Sequence, residues 1–198
     1  MRNRFIPAFA VPALLMLSAC LPKGLPGPKA HIACVRFGPP PATGTQYGPA
    51  TNHRRGAVAF VESGIRVQVD TFLYVNGGGT MNTAQIGPPP RPIGRGQTGL
   101  ANNISYVFNF TGLRWRPSSV DFVYLDMGGF ENFAVNGSAP HVGELTAAPP
   151  TIGATSVRSV TNPVQGGRSG SVSILGPAID SVLVGGQEFW IDEVCARG

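Results

Sequence analysis

Along "NISYVFNF" the side chains alternate. Ile104, Tyr106, Phe108 and Phe110 take one face, and Ser105 and Asn109 take the other. A period of two is that of a strand with one face buried. "IRVQVD" repeats it, with Ile65, Val67 and Val69 set against Arg66, Gln68 and Asp70. "SVDFVYLD" is apolar on both faces apart from Asp121, the pattern of a central strand. The alternation predicts strands near 32–37, 57–61, 65–74, 102–110, 119–126, 130–135, 155–160, 170–175, 178–184 and 188–195. Glycine-rich turn signals separate them at 76–79, 127–129, 136–137, 165–167 and 184–187. No window of ten or more residues carries a helical period with caps, and no repeat stands out. Short strands at this spacing without helices predict an all-β sandwich or barrel, and the reading taken is an antiparallel two-sheet sandwich of jelly-roll type. The stretch 76–103 reads as a long irregular loop, and its "PPPRP" as a stiff surface segment rather than a polyproline ligand.

The first thirty residues follow another pattern. "MRNR" is basic, Phe5 to Leu17 is uncharged and apolar, and the small residues Ser18 and Ala19 precede Cys20. This is the plan of an export signal, and Pro7 and Pro12 in so short a run argue against a membrane-spanning helix. Leu17-Ser18-Ala19-Cys20 resembles the lipobox of bacterial lipoproteins. The resemblance implies cleavage before Cys20, lipidation of its thiol, and a membrane anchor through the acylated N-terminus. Residues 1–19 are then the signal peptide, and 20–30 a proline- and glycine-rich linker behind the lipidated cysteine. Residues 31–198 are the β-sandwich domain. By the same resemblance, Leu21 rather than Asp after the lipidated residue implies the outer membrane rather than the inner.

With Cys20 assigned to lipid, Cys34 and Cys195 remain. An exported domain sits where thiols oxidise, and only one intramolecular pairing is left. No C-x-x-C occurs, and His31, His53 and His141 are scattered, which excludes a zinc site. Alternation supports the pair. In "IACVRF" Val35 and Phe37 share one face, so Cys34 lies on the other. In "EFWIDEVC" Phe189 and Ile191 point inward, and a bulge at Asp192–Glu193 turns Val194 inward and Cys195 outward. First and last strands side by side are a jelly-roll trait. The tail "AIDSVLVGGQEFWIDEVC" resembles the closing strands of jelly-roll carbohydrate-binding modules, and "GGQEFWID" resembles the endings of exported bacterial proteins of unknown function.

The formal charge of +5 falls to +3 once Arg2 and Arg4 leave with the signal, and the arginines are dispersed. That excludes the basic stripe of a nucleic-acid binder. Acids are scarce and cluster in two segments, 121–131 and the tail. The jelly-roll resemblance implies a structural calcium where the terminal strands meet, with Asp192 or Glu193 as a ligand. The alternative is that these carboxylates accept backbone or arginine hydrogen bonds. Sugar-binding modules stack ligands on exposed aromatics, and Trp115, Tyr47 and Tyr74 are the candidates. G-x-S-x-G, H-E-x-x-H and the P-loop are absent, so no short catalytic motif is present. The reading is a lipid-anchored, non-catalytic binding or structural module of the envelope, with an extracellular or envelope polysaccharide as its partner. Its rival is a glycoside hydrolase using paired carboxylates, Asp126 with Glu131 or Glu188 with Asp192.

Overall fold

The computed structural model describes residues 31–198. Cys20, the signal and the linker lie outside them. The strands, in chain order, are β1 (Ile32–Val35), β2 (Gln46–Tyr47), β3 (Val58–Glu62), β4 (Ile65–Asp70), β5 (Phe72–Leu73), β6 (Gly79–Thr80), β7 (Thr83–Gly87), β8 (Thr98–Asn102) and β9 (Ile104–Asn109). There follow β10 (Ser119–Asp126), β11 (Glu131–Val135), β12 (His141–Gly143), β13 (Thr151–Ile152), β14 (Thr155–Val164), β15 (Gly167–Leu175), β16 (Ser181–Gly186) and β17 (Phe189–Arg197). Among the described residues the helical content is two short 3-10 turns, and no helix is long and apolar enough to cross a membrane.

Two antiparallel sheets form the sandwich. The first runs β13-β14-β15-β10-β17-β8-β7-β2 and the second β12-β11-β16-β9-β4-β3. From β8 onward the chain passes repeatedly between the sheets. Its central strands end in the orders β8-β17-β10-β15 and β9-β16-β11-β12, which is the jelly-roll arrangement of two Greek keys. The alternating positions read from sequence face inward. Ile65, Val67, Val69, Tyr106, Phe108, Val120, Phe122, Val182 and Val184 form one core with Phe189 and Ile191. Tyr124 and Phe189 stack at 5.4 Å within it.

The terminal strands meet as expected. β1 pairs with the end of β17, register Cys34 with Cys195, and the two cysteines form a disulfide. β8 pairs with the start of β17, so β1 and β8 share one edge of that strand while β10 occupies the other. The bulge falls one residue later than expected: Glu193 and Val194 together face Phe122, with Glu193 at φ 50°. Val194 is buried, as the alternation requires. Both cysteines lie on the outer face of the sheet yet are shielded, at 5% and 8% exposure.

The segment 76–103 departs from the expectation of an irregular loop. It contains β7 and β8, paired from Thr83–Asn102 to Gly87–Thr98, and β8 is a central strand. The proline-rich turn between them folds back over the outer face of the first sheet. There Arg95 N–H donates to Asp192 at 2.8 Å and Arg91 to Gln165 at 3.0 Å. A second cover, the β5–β6 hairpin, lies on the outer face of the second sheet. Buried Asn132 holds it by exchanging hydrogen bonds with the Leu73 backbone.

Candidate functional site

One end of the jelly-roll gathers the turns β8–β9, β10–β11, β14–β15 and β16–β17 together with Glu144. β10 ends there on Asp126, which faces inward. Its cross-strand neighbours are Arg168 on β15 and Phe189 on β17. Glu131 opens β11 on the facing sheet, so the two carboxyls meet at the mouth of the sandwich. Asp126 accepts the Gly128 N–H at 2.8 Å, closing the tight "DMGG" turn. Glu131 accepts the Leu145 N–H on Oε2 at 3.0 Å, while its buried Oε1 has no donor among the described residues. Arg168 is ion-paired with Glu144.

Burial pushes the Glu131 carboxyl up to about 8, and the negative charge of Asp126 adds to the shift, against the pull of the Leu145 N–H and Arg168. At neutral pH Glu131 is therefore protonated. Protonated, Glu131 is itself the donor in its contact with the Asp126 side chain.

In front of this pair are two adjoining clefts. One, of about 340 Å³, is lined by Asp126, Glu144, Arg168 and glycines at 128, 129, 166 and 167. The other, of about 270 Å³, is lined by Asn102, Asn103, Gln187 and Glu188, and shares Gly128–Gly129 with the first. Two of these glycines are needed for close approach. A Cβ at 129 would stand 2.3 Å from the Gln187 amide, and one at 167 would stand 2.2 Å from the Asp126 carbonyl. Gln187 is fixed by the Phe130 N–H at 3.1 Å, and the Phe130 side chain is 44% exposed.

Of the carboxylate pairs weighed from sequence, Asp126 and Glu131 come together. Glu188 and Asp192 do not: Glu188 is exposed in the turn before β17, and Asp192 is fully buried under the proline-rich loop. The Asp192 oxygens accept the N–H groups of Arg95, at 2.8 Å, and Glu193, at 2.7 Å. The Glu193 side chain pairs with Arg95 at 3.1 Å. This is the hydrogen-bonding alternative to a calcium ligand set. Among the described residues no group of three or more histidine, cysteine or acidic side chains is placed to hold a metal ion.

The aromatic candidates do not form a platform. Tyr47 is buried in the core against Phe60. Trp115 is half-buried, with the His31 ring stacked on it at 5.5 Å and Gly198 packed against its ring edge, so it clasps both ends of the domain. Tyr74 stays exposed, edge-on to Phe72 at the β5–β6 cover. Sequence reasoning missed Phe130, Glu144, Arg168, Asn102, Asn103 and Gln187. They come from separate turns, and their one visible signal is the repeated Gly-Gly at 128–129 and 166–167. Comparison with protein-family models, curated proteins and solved structures finds no match for this chain.

Proposed function

We propose that the chain is an exported lipoprotein, anchored through Cys20 and sorted to the outer membrane, whose jelly-roll binds a glycan without hydrolysing it. The observation that carries the reading is the paired cleft floored by Gly128–Gly129. Amides, carboxylates and one arginine line it, and Phe130, which follows Gly129 in the chain, is exposed outside that lining. Sugar hydroxyls are bound by fixed amides and carboxylates, and a ring face packs on an exposed aromatic. The mature lipoprotein in detergent micelles is expected to bind in glycan-array and peptidoglycan pull-down assays. Phe130→Ala should abolish binding with the thermal midpoint unchanged. Retained binding in that variant, or binding to no glycan, overturns the reading.

The hydrolase reading draws support from the contact between Asp126 and Glu131 and from the raised affinity of Glu131 for its proton. Their placement argues against it. Glycosidase carboxyls stand about 5–9.5 Å apart with the scissile bond between them. Here the two are close enough to share a proton, and Glu131 is 2% exposed. No turnover of glycans, esters or peptides is expected. Turnover that disappears in a folded Glu131→Gln protein would establish the enzyme instead.

A further inference from the structure

The end of the sandwich opposite the cleft carries the other sign of charge. β10 starts there at Ser119 and reaches Asp126 on the order of 25 Å away. The first and last described residues meet at this end, where the Gly198 N–H donates to the His31 carbonyl at 3.1 Å. The loop between β9 and β10 closes over them. Its Ser118 N–H donates to the Arg197 carbonyl at 2.8 Å, and His31 and Gly198 both pack on Trp115. Arg114 and Arg116 flank that tryptophan, exposed and without an acidic partner among the described residues. Arg66, also exposed, donates to the Thr111 hydroxyl in the same loop at 2.9 Å. Of the nearby acids, Asp121 is paired with Arg197, and Glu62 accepts the Arg36 and Phe37 N–H groups. Asp180 beside the loop is left against three arginines, so the surplus is positive. Ile32 and Leu175, 59% and 56% exposed, add apolar side chains in one cross-strand row through Ser119 and Arg197.

Resting on the lipid-anchor reading above and not on the glycan one, we infer that this end is seated on the membrane, with Arg114 and Arg116 on anionic phospholipid headgroups. Two observations favour a lipid surface over other anions. The chain enters the domain at His31, inside the patch, and Cys20 is eleven residues upstream. Even fully extended, that stretch spans no more than about 40 Å, so an anchored patch is held at high effective concentration over the bilayer. The chemistry is also that of an interface. Guanidinium groups bind phosphate oxygens with paired N–H donors, and a tryptophan with exposed aliphatic neighbours suits the boundary between headgroups and acyl chains. The acyl chains hold the protein to the membrane, and the patch decides which end faces it. The cleft then points away from the bilayer, and its carboxylates are kept clear of the anionic headgroups.

The test places the full mature lipoprotein in vesicles of phosphatidylcholine, alone or mixed with phosphatidylglycerol, each doped with a lipid carrying a nitroxide on its headgroup. The two tryptophans report opposite ends, because Trp190 pairs with Leu125 toward the cleft while Trp115 lies at the termini. Trp190→Phe leaves Trp115 as the emitter, and Trp115→Phe leaves Trp190. Quenching of Trp115 is expected to be about twofold stronger with the anionic lipid than without it. Raised salt should remove the excess, as should Arg114→Glu together with Arg116→Glu, and Trp190 should not respond. Equal quenching of Trp115 in both vesicles, an excess that survives charge reversal, or quenching of Trp190 by the anionic mixture refutes the seat and leaves the anchor standing. Protein that does not float with neutral vesicles has no anchor, and the inference falls with it. The charge-reversed protein should bind glycan as wild type does, since both arginines lie outside the cleft lining. Sedimentation of wild type but not of the charge-reversed protein with purified peptidoglycan would assign the arginines to that polymer and overturn the lipid assignment.

Discussion

Glu131 and Asp192 are buried carboxyls whose protons are held more tightly in the folded chain than in the unfolded one. Burial is the main cause in both, raising Glu131 to about 8 and Asp192 to about 6. A raised acid binds its proton in the folded state first, so its stability contribution is full below the unfolded value and is lost as pH rises through the folded one. Thermal midpoints are therefore expected to fall from about pH 4 to about pH 8, in two overlapping steps. Glu131→Gln keeps an acceptor for the Leu145 N–H and supplies a permanent donor toward Asp126. It should flatten the upper step and raise the midpoint near pH 9, and a midpoint equal to wild type there would refute the shared proton. Asp192→Ala leaves the Arg95 and Glu193 N–H groups unpaired under a loop, and should cost about 2–4 kcal/mol in denaturant unfolding. At this scale the sequence was partly legible. Asp126 and Glu131 stand at the two ends of one glycine turn, so their approach follows from a short loop. Tyr47 and Trp115 misled because an aromatic's identity does not say whether a neighbour covers its face.

Among the elements, each of the ten strands read from sequence overlaps an observed one, although 65–74 is divided into β4 and β5 and the apolar residues of 155–160, Val157 and Val160, do not alternate. β7 and β8 were hidden by their composition. Beside Ile86, the inward positions are filled by Ala84, Gly99 and Ala101, too small to give a hydrophobic signal, and the flanking prolines and glycines mimic a loop. The disulfide was legible because both cysteines sit at fixed offsets from inward-facing residues. Closing a loop with a sequence separation of 161 residues contributes up to about 5 kcal/mol by restricting the unfolded chain. Replacing Cys34 and Cys195 together by alanine should thus lower the thermal midpoint by roughly 10–20 °C. An unchanged midpoint would show that the bond adds nothing to the pairing of β1 with β17. Trp115→Ala should lower the midpoint by a few degrees while glycan binding persists, since the ring is engaged by His31 and Gly198.

For the whole molecule, the jelly-roll was read from the adjacency of first and last strands and from the tail's resemblance to the closing strands of jelly-roll modules, and the strand orders of both sheets agree with it. The cleft was not legible, because it exists only after turns far apart in the chain converge on one end. The lipid anchor stands on four residues, and intact-mass analysis of the native N-terminus should find cleavage before Cys20 with acyl mass added. A free Cys20 thiol, or a cut elsewhere, would remove the anchor and the localisation with it. The joined termini also govern how the domain carries load. Any pull transmitted along the chain into His31 reaches Cys34 three residues later and crosses the disulfide into β17. That strand is hydrogen-bonded to β10 along one edge and to β8 and β1 along the other. Tension is thus delivered to the middle of the first sheet, where many hydrogen bonds must shear at once, and β1 cannot peel away alone. If the domain is held by its N-terminus, as proposed, it is reinforced at the point where the strain enters.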